Sequence, residues 1–233
     1  MRFHWFAVLI GLFALHALAQ APAPASPPPP VPADVSPLYV VTYVELRPNA
    51  ASEGAVILKS WRDAQRKAEG NLRAEVVHHS TRPGQFVVLA AWQNKAAFDG
   101  HAAAGQGYRD KLAALRNSPA DDRFHNGLSV GKLEPARGAL VVVTHVDVIP
   151  PQRENAVVAL KALGEANRAA QGNVRYEIVQ QTNRPNHFTV VETWRSRQAF
   201  DANSMSAHQR EFRDKLAQMT GALYDERLYE SID

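Results

Sequence analysis

The chain has 233 residues, is 45% hydrophobic and 21% charged, and carries a net charge of +3 with no cysteine. That length allows one or two domains. The missing cysteines exclude disulfides, thiolate metal centres, iron–sulfur clusters and a cysteine nucleophile. The basic residues form no run, which argues against a nucleic-acid partner.

The N-terminus, "MRFHWFAVLIGLFALHALAQA", has an early Arg2, an apolar run to Ala19 and small residues at Ala17 and Ala19. The run is too short for a membrane span and has the pattern of a secretory signal peptide over 1–19, cleaved after Ala19 or Ala21. The expected location is therefore secreted or periplasmic, with no stable membrane insertion after cleavage. Residues 20–37 are rich in proline, which fixes φ and removes donors, so they read as a semi-rigid spacer.

From residue 38 the chain alternates. "LYVVTYVELR" is β-branched with period two and predicts a strand stopped by Pro48. Ile57, Trp61, Ala64 and Ala68 follow at spacings of 4, 3 and 4, the apolar stripe of a helix. Gly70 suits a left-handed cap. "NLRAEVVHHS" and "QFVVLAAW" predict a hairpin around Arg82-Pro83-Gly84. A broken second helix, with Tyr108, Leu112 and Leu115 on one face, leads to a last strand, "RFHNGLSV".

This order then recurs. "RPGQFVVLAAW" at 82–92 returns as "RPNHFTVVETW" at 184–194, a constant offset of 102, and 13 of 30 positions from Gly70 to Asp99 are identical in the second copy. "RDKL" returns at an offset of 104, so copy two has gained two residues within its second helix. The predicted fold class is α+β: two ferredoxin-like βαββαβ repeats at 38–128 and 139–233, joined by a linker at 129–138. In each, one sheet face meets the helices. Val41/Tyr43 and Val143/His145 point away from them, so one repeat leaves half a barrel open and the second closes it. The protein is expected to be a monomer with pseudo-twofold symmetry.

Each copy resembles an antibiotic-biosynthesis-monooxygenase (ABM) domain of the quinol monooxygenase type. The resemblance is carried by the βαββαβ order, the "RPNHFTVVETW" strand and "SRQAFDANSMSAHQREFRDKL" after it, with "NKAAFDGHAAAGQGYRDKL" in copy one. It implies a dimeric α+β barrel, here built from one chain. It also implies oxidation of a small aromatic or quinol substrate, with O₂ as co-substrate and no metal or flavin. Haem-degrading relatives are similar in fold but carry Asn on the first strand and Trp and His on the second helix. Here Tyr43 and His145 stand on the first strands, and His101 and Asn203 replace the Trp, which argues against haem.

Cofactor-free oxygenation needs a base and a dry apolar pocket. Copy two offers His145 or Glu192 as base, Arg175 to hold an anion, and Tyr176 and Trp194 as walls, with His208, Tyr43, Trp92 and His101 as further pocket candidates. Trp92 and Trp194 also read as core anchors. Arg73–Glu75 and Arg175–Glu177 also read as ion pairs at the seam between copies. His78 and His79 are strand neighbours on opposite faces and cannot chelate one ion together. Where copy two has Glu192, His145, Tyr176 and His208, copy one has Ala90, Tyr43, Ala74 and Ala104, so a pocket is expected mainly in copy two. The alternative function is a non-catalytic barrel that binds a small hydrophobic ligand or a protein.

Overall fold

A computed structural model describes residues 36–132, 138 and 140–232. The expected signal peptide, nearly all of the proline-rich spacer and half of the inter-repeat linker lie outside the described residues.

The first copy comprises β1 (Leu38–Glu45), α1 (Ala51–Arg66), β2 (Asn71–His79), β3 (Gln85–Trp92), α2 (Lys95–Ala113) and β4 (Asp121–Ser129). The second comprises β5 (Leu140–Asp147), α3 (Arg153–Arg168), β6 (Asn173–Gln181), β7 (His187–Trp194), α4 (Arg197–Ser204), α5 (Ala207–Ala217) and β8 (Asp225–Ser231). The prolines that end β1 and β5 open short 3₁₀ turns at Pro48–Ala50 and Pro150–Gln152. Gly70 and Gly172 sit at φ +74° and +85°, the left-handed turn from helix into strand that L side chains resist.

The strands close into one barrel in the order β1-β3-β2-β8-β5-β7-β6-β4. Every neighbouring pair is antiparallel. Four steps separate β1 from β5, so the two run the same way and the pseudo-twofold axis follows the barrel axis. Each copy's last strand bridges to the other: β4 pairs with its own β1 and with β6, and β8 with its own β5 and with β2.

Strand alternation sorts the side chains into two layers. Val41, Tyr43, Val87, Val143, Val191 and Tyr229 pack inside the barrel. The opposite parity meets the helices: Val44, Phe86 and Val88 against Leu58 and Trp61 in copy one, and Val146, Phe188 and Val190 against Leu160 and Leu163 in copy two. Two helical expectations need correction. The buried stripe is rotated by one residue and runs through Gly54, Leu58, Trp61, Arg62 and Gln65, with Ile57 and Ala64 at its margin. The second helix is continuous in copy one. Only copy two is broken, at Met205-Ser206, where Ser206 caps α5 and the two extra residues are absorbed.

Candidate functional site

The two layers divide the predicted residues. Tyr43, His145 and Arg175 lie on the barrel-interior parity of their strands. Tyr176, Glu192 and Trp194 lie on the helix-facing parity, alongside Ile178, Val190 and Val142. His145 and Glu192 are therefore on opposite faces of one sheet and cannot act on a common substrate atom.

Inside the barrel, His145 Nε2 lies 3.2 Å from His187 Nδ1, near one barrel end. Burial, reinforced by the charge of Arg123, lowers its pKa to about 4, so it is neutral at neutral pH. Arg175 is not free to hold an anion. Arg73 forms a two-pronged pair with Glu177, both contacts at 2.7 Å, and Arg175 reaches Glu75 at 2.6 Å. The ion pairs expected within each copy are the long ones, at 3.7 and 4.0 Å. The short ones run between copies because the two Arg-x-Glu segments face each other across the interior. Tyr43 lies beneath the Arg123 guanidinium, 4.6 Å from its ring centroid.

The helix side of copy two holds a connected polar set. Tyr176 and Glu192 are direct cross-strand partners on β6 and β7, each 2% exposed. Trp194 Nε1 donates to Glu192 Oε2 at 2.9 Å. Burial nevertheless raises the Glu192 pKa to about 8, with the charge of Glu226 adding to it. Burial, and then Glu192, also raises the Tyr176 pKa well above its ordinary value.

Beside them, His208 Nε2 faces three oxygens at 3.1 Å: Asn167 Oδ1, Asn203 Oδ1 and Ser206 Oγ. The two amide oxygens only accept, so a neutral His208 places its proton on Nε2 and presents Nδ1 as a base. Asn203 Nδ2 and Gln209 Nε2 both donate to Asn167 Oδ1, at 2.8 and 3.3 Å. Asn167 Nδ2 is close enough to Tyr176 to bias its ionisation, but it makes no hydrogen bond of good geometry. A cavity of about 670 Å³ opens outside this set, between the end of α3 and the α4–α5 break, with His208, Asn203, Ser206, Ala199 and Gly172 on its wall.

Sequence reading thus placed Glu192, Tyr176, Trp194 and His208 in one region and missed Asn167. The signal was present: Asn167 follows Leu160 and Leu163 on the buried stripe of α3, where a polar residue is out of place. It also missed His125, fully buried inside the barrel with Nε2 3.0 Å from Thr189 Oγ1.

Copy one lacks the counterpart. Ala74 and Ala90 replace Tyr176 and Glu192, and Trp92 Nε1 is left without a hydrogen-bond partner. The His101 ring packs on Trp92 at 5.2 Å between centroids. Among the described residues, no group of three or more His, Asp or Glu is placed to hold a metal ion, and no helix is long and apolar enough to cross a membrane.

The family profile described as antibiotic biosynthesis monooxygenase matches residues 37–106 and 139–215. The "Putative monooxygenase YcnE" of Bacillus subtilis is 26% identical over 86 residues, which is 37% of this chain and 90% of its own length. A crystal structure of a Fusobacterium nucleatum protein, also described as a "Putative monooxygenase", superposes with a TM-score of 0.75 at 11% identity, covering 85% of this chain and 94% of that one. An "anthrone oxidase-like protein" superposes with a TM-score of 0.67 at 13% identity, covering 86% and 92%. Both chains match across the two copies, so in each a single chain forms the same double-repeat fold.

Proposed function

The chain belongs to the antibiotic biosynthesis monooxygenase family, and from that premise we propose that the helix-side cleft of copy two oxygenates a quinol or related phenol with O₂, without metal or flavin. The observation that carries this reading is His208, oriented by three oxygens on the wall of a cavity large enough for a small aromatic. Relatives described as monooxygenases and as anthrone oxidase-like support the reaction class.

In this mechanism His208 Nδ1 takes a phenolic proton. The phenolate passes one electron to O₂, and the radical pair recombines to form a C–O bond. The resulting hydroperoxide breaks its O–O bond and loses water. One quinol and one O₂ thus give one hydroxyquinone and one water, with the ring losing four electrons and O₂ gaining four. Burial raises the Glu192 pKa to about 8, so it is mainly protonated at neutral pH and is not the base.

The test is O₂ uptake with a benzohydroquinone, with ¹⁸O₂ label followed into the product. His208→Ala should lower kcat by about 10²–10⁴, the usual range for a lost general base, while His145→Ala leaves it within threefold. A dead His145→Ala enzyme, or unlabelled product, would overturn the assignment. Binding without turnover is the second reading. The enclosure of Tyr176 and Glu192, each 2% exposed, favours it, and it predicts calorimetric binding of the quinol with no O₂ consumed.

A further inference from the structure

The two copies differ at one place where each supplies what the other lacks. In copy two, Tyr224 precedes β8 and turns its ring into the layer between α5 and the sheet, packing against the cluster of Val146, Leu163 and Phe212. Arg213 lies over that ring, 3.6 Å from its centroid. The Tyr224 hydroxyl lies near Thr144, which acts on its ionisation, and Glu226 pairs with Arg213 at 3.2 Å.

In copy one the frame is kept and the ring is missing. Arg109, Thr42 and Asp122 stand for Arg213, Thr144 and Glu226, but Ala120 stands for Tyr224. Arg109 pairs with Asp122 at 2.9 Å, and Thr42 Oγ1 donates to the other Asp122 oxygen at 2.6 Å. Trp61, where copy two has Leu163, gives Arg109 a ring to lie over, at 5.0 Å. It does not fill the space. A cleft of about 330 Å³ remains, lined by Val44, Trp61, Arg109, Leu112, Arg116 and Ala120.

We propose that this cleft in copy one is a binding site for a monocyclic phenol, which takes the position Tyr224 occupies in copy two. The ring would lie between the Arg109 guanidinium and the apolar wall of Val44 and Leu112. Arginine over an aromatic face is favourable, more so where water is displaced. The hydroxyl would point toward the carboxylate of Asp122, the ion-pair partner of the lining residue Arg109; its oxygens each accept one bond, from Thr42 and from Arg109, and each keeps a lone pair for another. Copy two is the internal control, since there the same frame closes on a tethered phenol. The site lies away from the His208 cavity, shares none of its lining residues, and stands whether or not that cavity is catalytic.

The test uses p-cresol, the side chain of tyrosine as a free molecule. It is titrated into the full chain while the Trp61 indole N–H resonance, assigned with Trp61→Phe, is followed by NMR. A saturable shift in the millimolar range, as suits so small a ligand, is expected for the wild type. Ala120→Tyr places a tethered phenol in the cleft and should abolish that shift while leaving quinol binding at the His208 cavity unchanged. Tyr224→Ala opens the equivalent space in copy two. It should lower Tm, and p-cresol should then raise Tm by more than it does in the wild type. A Trp61 signal that stays still, or that moves equally in Ala120→Tyr, overturns the proposal, as does a Tyr224→Ala Tm that p-cresol leaves unchanged.

Discussion

Tyr176 and Glu192 stand directly opposite each other on β6 and β7, closed off beneath the helices, and one neutral carboxyl is the result. The Glu192 pKa of about 8 lies above its ordinary 4.5. Folding therefore binds a proton that the unfolded chain releases. The stabilisation is complete below pH 4.5 and is lost as pH rises through 8. At about 1.4 kcal/mol per pKa unit, the loss is on the order of a few kcal/mol. The buried histidines have the opposite sign. His125 and His145, both lowered to about 4 mainly by burial, favour the folded state above pH 6.5 and destabilise it as pH falls toward 4. Thermal melts between pH 4 and 9 should show a dome for the wild type. Glu192→Gln should remove the alkaline fall and keep the acid one. An unchanged alkaline limb would contradict the buried neutral acid.

The crossed ion pairs inside the barrel predict a strong asymmetry between single and joint substitutions. Arg73→Met leaves Glu177 buried with only the long 4.0 Å contact to Arg175, and should cost about 3–5 kcal/mol in urea unfolding. Replacing Arg73, Glu75, Arg175 and Glu177 together with apolar residues of similar volume should cost far less. Equal losses in the single and quadruple variants would mean that the pairs do not act as one unit.

Nitrogen-15 shifts of the His208 ring should show the Nε2–H tautomer in the neutral state, held by the Asn167 and Asn203 oxygens. Asn167→Leu removes one acceptor and also the partner that Asn203 and Gln209 donate to. The neutral ring should then become a tautomer mixture, and quinol turnover should fall about tenfold with KM little changed. Asn167→Asp, which keeps the acceptor oxygen, should restore the Nε2–H form.

For the whole protein, export and processing should give a mature chain that starts at Gln20 or Pro22 by mass spectrometry, and a signal beginning at Met1 would defeat that expectation. Because one chain closes the barrel, sedimentation should report a monomer. A stable dimer built through β2 and β6 edges of separate chains would refute it.

The repeat, the βαββαβ order within each copy and the two-layer parity were legible in the sequence, because strand alternation and the Gly70/Gly172 turns are local signals, whereas the pairing of β4 with β6 and of β8 with β2 depends on barrel closure. The helix stripe was misread by one residue because Leu58 and Ile57 are both apolar, and only packing against Phe86 and Val88 chooses between them. The crossing of Arg73 to Glu177 was hidden for a different reason. Each Arg-x-Glu segment can pair with itself, and only barrel closure brings the partner segment within reach. Asn167 was visible as a polar residue on an apolar stripe, but its link to His208 depends on how α5 restarts after Ser206.

The bridging of each last strand to the other copy sets an order on folding. β2 meets β8 in register at Val77, His78 and His79, and its partners Ser231, Glu230 and Tyr229 lie about a hundred residues beyond the last strand of copy one, so they are made long after it. Throughout elongation that edge of copy one has no neighbour, and an unpaired strand edge recruits other chains. The vulnerable interval closes only when β8 has been made. A delay at that point, or a truncation before Tyr229, therefore exposes the edge of a copy whose own sequence is already complete.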